Sequence, residues 1–344
     1  MSARRGCEVG DRARTVGQQI SDAELGRNVD RLTNPETAEQ TDQLIARCAG
    51  PRAHGRSPPQ VGAQPTSNPI ARVGSPLSCE RLRAVTGHVA WIHVAPIKAL
   101  AIQELQQVEL GRAGVENDRR FCIVDPEGRM VNAKRVHGFI GVRPHFDDAM
   151  RHLVLETPDG SSVEGAIDLG RAISVSIYRR EVPAHTVEGP WSEALSAVAE
   201  RPVRLVRFDK AGEGVDRAGD GGGATLLSEA SLRAIAKAAG TSGPVDPRRF
   251  RMLFGIGGVN AHSEDAWIGT PIHIGSAVIV PRGNVGRCAV TTLDPATGVS
   301  DLDTLAALAT YRGEEVTTEP LAFGVWAEVA QPGLVRVGDP VHAG

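Results

Sequence analysis

From residue 87 onward, apolar and polar positions alternate in short runs broken by glycine, proline and aspartate, which is the signature of strands joined by turns. Runs at 88–94, 121–124, 130–133 and 153–157 are expected to be strands, with Asp125-Pro126-Glu127-Gly128 as the tight connection between the middle two. This half reads as a small β-barrel or sandwich. Near Trp191 the period changes, because Trp191, Leu195 and Val198 share one helical face before Val203, Leu205 and Arg207 resume alternation. A boundary is therefore expected around 185–195. A second helix opens near Ser228, places Leu232, Ile235, Ala236 and Ala239 on one stripe and stops at Gly240. Strands at 272–280, 324–330 and 334–341, with a short helix from Asp301 carrying Leu302, Leu305 and Leu308, imply a second barrel with helical insertions.

Residues 1–84 lack this order. Segments such as Gly50-Pro51-Arg52-Ala53-His54-Gly55-Arg56-Ser57-Pro58-Pro59 are rich in residues that keep a chain extended. The expectation is a disordered or non-native N-terminal extension with one weak helical candidate at 35–48. The 344 residues, at about 150 per domain, suggest two ordered domains. A net charge of −3 gives no electrostatic reason to expect nucleic acid or an anionic membrane as partner. No apolar run reaches the roughly 18 residues needed to cross a bilayer, and the N-terminus lacks the apolar core of a secretory signal. Cysteines at 7, 48, 79, 122 and 288 are odd in number and irregularly spaced, which supports neither a disulfide framework nor a Cys-x-x-Cys metal site. A cytoplasmic, reducing compartment is expected.

Cys288 is the position that invites chemistry. It sits in Gly286-Arg287-Cys288-Ala289-Val290-Thr291-Thr292-Leu293 ahead of the turn sequence Asp294-Pro295-Ala296-Thr297-Gly298. An adjacent guanidinium favours the thiolate, the form that binds metal or attacks an electrophile. The residues from 288 to 293 are β-prone, so the thiol is expected where a strand enters a loop. Taken alone, the residue reads more readily as a buried structural cysteine, the commoner fate of a single intracellular Cys.

The run around Cys288 resembles the cysteine signature of the MOSC family, named after the C-terminal part of molybdenum cofactor sulfurase. Arg249-Phe250-Arg251, then Ser263-Glu264-Asp265-Ala266-Trp267, then the cysteine keep the family's order. Leu226-Leu227-Ser228-Glu229-Ala230-Ser231-Leu232 and the closing run from Phe323 to Asp339 are similar to its opening and final segments. Upstream, Ile92-His93-Val94-Ala95-Pro96-Ile97-Lys98, Gly114-Val115-Glu116-Asn117-Asp118-Arg119-Arg120-Phe121 and Val124-Asp125-Pro126-Glu127-Gly128 resemble the MOSC N-terminal β-barrel domain, which accompanies MOSC in amidoxime-reducing components and their bacterial relatives. The resemblance implies a mainly β, α+β chain. A smaller β-barrel domain at 86–188 would precede a MOSC-type, pyruvate-kinase-like β-barrel with helical insertions at 190–342.

The same resemblance implies a molybdenum-pterin cofactor (molybdopterin), with Cys288 as the protein's sulfur ligand to the metal. A soft thiolate suits that role. Lys98, Arg119 and Arg251 fall on the family's anion-binding positions, and Asp220, with Asp216 as a near equivalent, falls near the pterin edge. Where relatives carry hydroxyl side chains before the cysteine, this chain has Asn284-Val285-Gly286, so the backbone N–H groups of Gly286 and Arg287 are expected to compensate. Glu264 and Asp265 are candidates to orient Arg251 or the barrel wall, and Trp267 is expected in the core.

The implied activity is two-electron reduction of N-oxygenated small molecules by a molybdenum-dependent oxidoreductase. A persulfide carrier or sulfurtransferase acting through Cys288, and a non-catalytic cofactor carrier, are the alternatives. No iron–sulfur or flavin motif is present, so a separate electron donor such as a ferredoxin or flavin reductase is expected. Pyridoxal phosphate is not expected, because no Schiff-base lysine context is visible.

Overall fold

A computed structural model describes residues 87–344 apart from 148, 150, 179 and 217–220. The extension at 1–84 and its helical candidate lie outside the described residues, as does Asp220. The fold is mostly β, with helices at Trp191–Ala199, Glu229–Ala238 and Thr304–Arg312 among the described residues.

Seven strands close a barrel. In order around it they are Phe254–Gly257, Gly222–Ser228, Ala322–Gln331, Ala277–Gly286, Ile272–Ile274, Pro340–Ala343 and Gly87–Val94, and the last returns to pair with the first. Alternation explains the interior: Ile92, Leu226, Phe254, Ile256, Ile279, Val325, Ala327 and Val341 point inward and are buried together. Gly222–Ser228 and Phe254–Gly257 run parallel, so their connection must cross over, and the helix Glu229–Ala238 makes that crossing. Its start is capped by Ser228, whose hydroxyl accepts from the Ser231 N–H at 3.1 Å, and Gly240 lies beyond its end at φ +67°. The expected stripe of Leu232, Ile235 and Ala236 packs against Ala307, Leu308, Phe250 and Phe323.

The other module combines a four-stranded sheet (Phe121–Val124, Arg204–Phe208, Arg180–Glu188, Asp168–Ile177) with a three-stranded one (Arg143–Asp147, His152–Glu156, Ser162–Ala166). Phe121, Leu205, Leu153, Leu155, Phe139 and the helix residues Trp191 and Leu195 share its core. Trp191 donates its indole N–H to the Leu153 carbonyl at 3.2 Å, which satisfies its one polar atom inside that core.

Strand pairing crosses the boundary that periodicity suggests. Gly87–Val94 lies in the first half of the described chain yet belongs to the C-terminal barrel, while Arg204–Phe208 pairs with Phe121–Val124 of the other module. The run at 334–341 is two strands: Gly333–Arg336 joins Gln107–Gly111, and a turn with Gly338 at φ +90° redirects the chain so that Pro340–Ala343 joins the barrel. The expected strand at 130–133 contributes a single bridge, Met130 to Val124, and Arg129 just before it bridges Ser176. The third helix begins at Thr304, three residues after the expected start, because the Asp303 carboxylate caps it by accepting from Ala306 N–H at 2.9 Å.

Two histidines are kept neutral by the packing. Burial pushes His93 down to about 4, and its Nδ1 has no hydrogen-bond partner. Burial, aided by Arg312, pushes His262 to about 4 as well. The unfolded chain protonates such groups near pH 6.5 and the folded protein only near 4, so their contribution to stability is complete above 6.5 and is lost as pH falls toward 4. Glu264, raised by burial, acts in the opposite sense. Urea midpoints measured across that window should drop with acidification, and His93→Phe should remove about 1–3 kcal/mol of the drop; an unchanged slope would show that His93 is not held neutral.

Candidate functional site

The strand Ala277–Gly286 carries three register shifts against Ala322–Gln331, the last between Asn284 and Gly286. Bulges of this kind bend a strand and re-aim the residues beyond it. Here the chain leaves the barrel wall and presents Cys288 in extended conformation at the head of a 3₁₀ turn, Ala289–Thr292. The turn, rather than the expected β-prone stretch, forms because Thr291 donates both its N–H and its hydroxyl to the Cys288 carbonyl, each at 3.0 Å. Arg249 holds the segment from below, donating to the Thr292 carbonyl at 3.2 Å and to the Asp301 carboxylate at 2.7 Å. The Cys288 side chain is partly exposed, whereas Cys122 is fully buried and burial pushes its thiol up to about 12.

Cations from distant parts of the sequence converge on the same cleft. Lys98, Arg119, Arg251, Arg287 and Cys288 all line a cavity of about 220 Å³, together with Asp216, Asn132, Lys134, Tyr178 and Met252. Lys98 donates to the Gly214 carbonyl at 2.9 Å and pairs with Asp216. Arg119 pairs with the buried Asp118 and donates to the Arg251 carbonyl at 2.8 Å. Arg251 donates from Nη1 to the Leu100 carbonyl at 2.8 Å, while its buried Nη2 has no partner among the described residues. Burial, then repulsion from Arg119, lowers Arg251 to about 10, which leaves it charged at neutral pH. Asp216 sits in a solvent-facing opening, 62% accessible yet ringed by protein. Burial would raise its carboxyl, but Lys98, Arg119 and Arg251 outweigh that and hold it below the usual range.

Backbone strain concentrates here. Of eight non-glycine residues with positive φ among those described, Ala99 (79°), Arg119 (53°), Tyr178 (53°) and Arg251 (53°) line the cleft. Each costs on the order of 1 kcal/mol, and such costs cluster where geometry serves function.

Several expectations are corrected. The Gly286 N–H is not free for an anion, because it donates to the Glu319 carboxylate at 3.1 Å. The expectation for Arg287 concerns its backbone N–H; its guanidinium is engaged within the protein, donating to the Phe323 carbonyl at 2.9 Å, to the Phe250 carbonyl at 2.8 Å and to the Met252 sulfur. Burial, only partly offset by Cys288, lowers it to about 9. Gly324, at φ +81°, permits this packing, since a Cβ there would lie 2.7 Å from Met252 Cε. Of the two roles expected for Glu264 and Asp265, they take the one at the barrel wall and not the one at Arg251. Glu264 accepts from Ser228 N–H at 3.1 Å and the Ser231 hydroxyl at 3.0 Å, and Asp265 binds Arg312 at 2.6 Å and Asn284 at 2.7 Å. Trp267 is in the barrel core. Asn132, Lys134 and Tyr178 were not singled out by sequence, and their only signal is the polar run after Val131 and the tyrosine at a strand end. Tyr178 is itself 61% exposed; the surrounding protein, then Asp216 and Cys288, raise its phenol above the usual range, and a tyrosine is a donor at neutral pH in any case.

Comparison with known proteins agrees with this architecture. A model of the MOSC N-terminal beta barrel domain matches residues 86–193, and a model of the MOSC domain matches residues 217–342. The chain is 26% identical over 286 residues to mitochondrial amidoxime-reducing component 1 of Xenopus laevis, covering 74% of this chain and 82% of that protein. Against mitochondrial amidoxime-reducing component 1 of Homo sapiens it is 26% identical over 297 residues, covering 78% and 86%. A shorter stretch of 99 residues is 36% identical to mitochondrial amidoxime reducing component 2 of Homo sapiens, covering 27% and 29%.

The two described thiols should separate by reactivity. In cofactor-free folded protein, peptide-resolved alkylation is expected to label Cys288 and to spare Cys122 until denaturant is added. Equal labelling rates would contradict the placement of Cys288 on an accessible turn.

Proposed function

The chain belongs to the MOSC family, and from that membership together with the cleft around Cys288 we propose that it is a molybdenum-cofactor-binding oxidoreductase that reduces N-oxygenated compounds. The observation that carries the reading is the convergence of one accessible thiol with Lys98, Arg119 and Arg251 in a single cavity.

The residues present fit a dithiolene-bound metal with a phosphate tail. Among the described residues no group of three His, Cys, Asp or Glu side chains could hold a metal alone, so a metal here needs most of its ligands from a cofactor. Cys288 would add the protein's one sulfur. Asp118 and Asp216 answer two of the cleft's cations, which leaves positive charge for a phosphate. When bound, such a group supplies two-electron chemistry at the metal.

The chain's own residues then have separate tasks. Lys98 and Arg251 hold the anionic end and are themselves fixed by the carbonyls of Gly214 and Leu100, so little side-chain freedom remains to be lost on binding. Asp216, kept ionised by Lys98, is an acceptor for N–H groups at the cleft mouth. Tyr178, kept protonated, is a donor on the same rim. Electrons come from a separate protein, a ferredoxin or flavin reductase in type, and the reducing compartment this requires suits an unoxidised cysteine. Carriage of a persulfide on the partly exposed Cys288 is the competing reading, and it requires no metal.

Cys288→Ser should reduce bound molybdenum at least ~10-fold and bring reduction of a simple amidoxime, driven by an artificial electron donor, to background. Lys98→Ala should lower occupancy while leaving turnover per bound molybdenum nearly unchanged. Full turnover by the serine variant would sink the proposal, and a one-sulfur mass increment on Cys288 in metal-free, inactive protein would favour persulfide carriage instead.

A further inference from the structure

Beside the cleft lies a second cavity of about 120 Å³ whose polar walls are four guanidinium groups, Arg143, Arg248, Arg249 and Arg251, with no carboxylate among the lining residues. Arg249, Arg251 and Val290 are shared with the cleft, whereas Arg143 and Arg248 line this cavity and not the other. Its remaining walls are apolar: Ile140 and Ile102 on one side, Leu293 and Pro295 of the loop after Cys288 on another.

Charge accounting singles this cavity out. Arg248 is answered by Asp246 at 2.6 Å, and Arg249 by Asp301 at 2.7 Å and Asp294 at 3.7 Å. Arg143 and Arg251 have no carboxylate partner among the described residues. Two buried nitrogens, Arg249 Nε and Arg251 Nη2, also lack any hydrogen-bond acceptor, and Arg249 as a whole is only 7% exposed. A buried donor left unpaired costs about 1–3 kcal/mol, and like charges around one small space add repulsion. Both penalties vanish if one compact anion shares the space, since guanidinium forks match the oxygens of a tetrahedral oxyanion.

We propose that this cavity is an oxyanion site, distinct from the Cys288 cleft, that takes a phosphate- or sulfate-type group. The site holds either a free inorganic ion or the same group carried by a larger molecule, and the open side near Ala296 and Arg143 admits both. Because its floor is the Val290–Ala296 segment, an anion bound here stiffens the loop that presents Cys288. The inference does not depend on the molybdenum reading.

Isothermal titration of the full chain with inorganic phosphate, and separately with methyl phosphate, tests it. Saturable binding is expected, weakened at least about fivefold in Arg143→Gln, restored in part by Arg143→Lys, and abolished in Ala296→Leu, which fills the opening. Lys98→Gln, which alters only the cleft, should leave this affinity unchanged. Equal affinity for methyl phosphate identifies a group borne on a larger ligand, and preference for inorganic phosphate identifies a free ion; either supports the site. No saturable binding at millimolar phosphate, equal affinity in Arg143→Gln and Ala296→Leu, or loss of binding in Lys98→Gln would each overturn it. None of these results bears on whether Cys288→Ser retains turnover, so the two claims fail separately.

Discussion

Two arginines exchange hydrogen bonds between segments far apart in sequence, and the cleft exists because of that exchange. Arg119 donates to the Arg251 carbonyl, and Arg251 donates to the Leu100 carbonyl, each at 2.8 Å. Both residues take left-handed backbone conformations to do so. The exchange fixes the segment around Lys98 and Arg119 against the turn Pro247–Phe250, and that same turn carries Arg249, which holds the Cys288 loop. The thiol and the cations that share its cavity are thus positioned by one short piece of chain. In a closed barrel that piece cannot slide without breaking strand register.

Electrostatics gives the arrangement its purpose. Cations are expensive to bury: burial, then repulsion from Arg119, lowers Arg251, and burial lowers Arg287, both well below their ordinary values. Arg287 is made tolerable by backbone carbonyls and by the Phe250 ring 5.5 Å from its guanidinium, so it braces the cleft wall rather than reaching for a ligand. Lys98 and Arg119 have carboxylate partners in Asp216 and Asp118, while Arg251 has none among the described residues. A fold that leaves such a group uncompensated is organised around an anion that arrives later.

Local sequence and long-range geometry differ in how legible they are. The helix Glu229–Ala238 is readable from residue spacing, because its stripe, its Ser228 cap and the glycine after it all lie within a dozen positions. The motifs that bring Cys288, Lys98, Arg119 and Arg251 to notice depend on family resemblance, and their meeting in one cavity is visible only in three dimensions. What spacing hides are choices made by remote partners. Gly87–Val94 alternates as any half-buried strand does, and nothing local says that its neighbours are Phe254–Gly257 and Pro340–Ala343. The Gly286 N–H looks available until Glu319, more than thirty residues on, accepts it. Lys134 and Tyr178 look like ordinary surface residues until the fold places them on the cleft wall.

X-ray absorption at the molybdenum edge, on wild-type protein and on Cys288→Ser prepared with the same cofactor supply, addresses the central claim directly. Wild type should bind molybdenum with one more sulfur neighbour than the serine variant retains in whatever residual metal it holds. Identical sulfur coordination in the two proteins at equal metal content would mean that Cys288 is not a ligand, and the account built on its presentation in this cleft would be wrong.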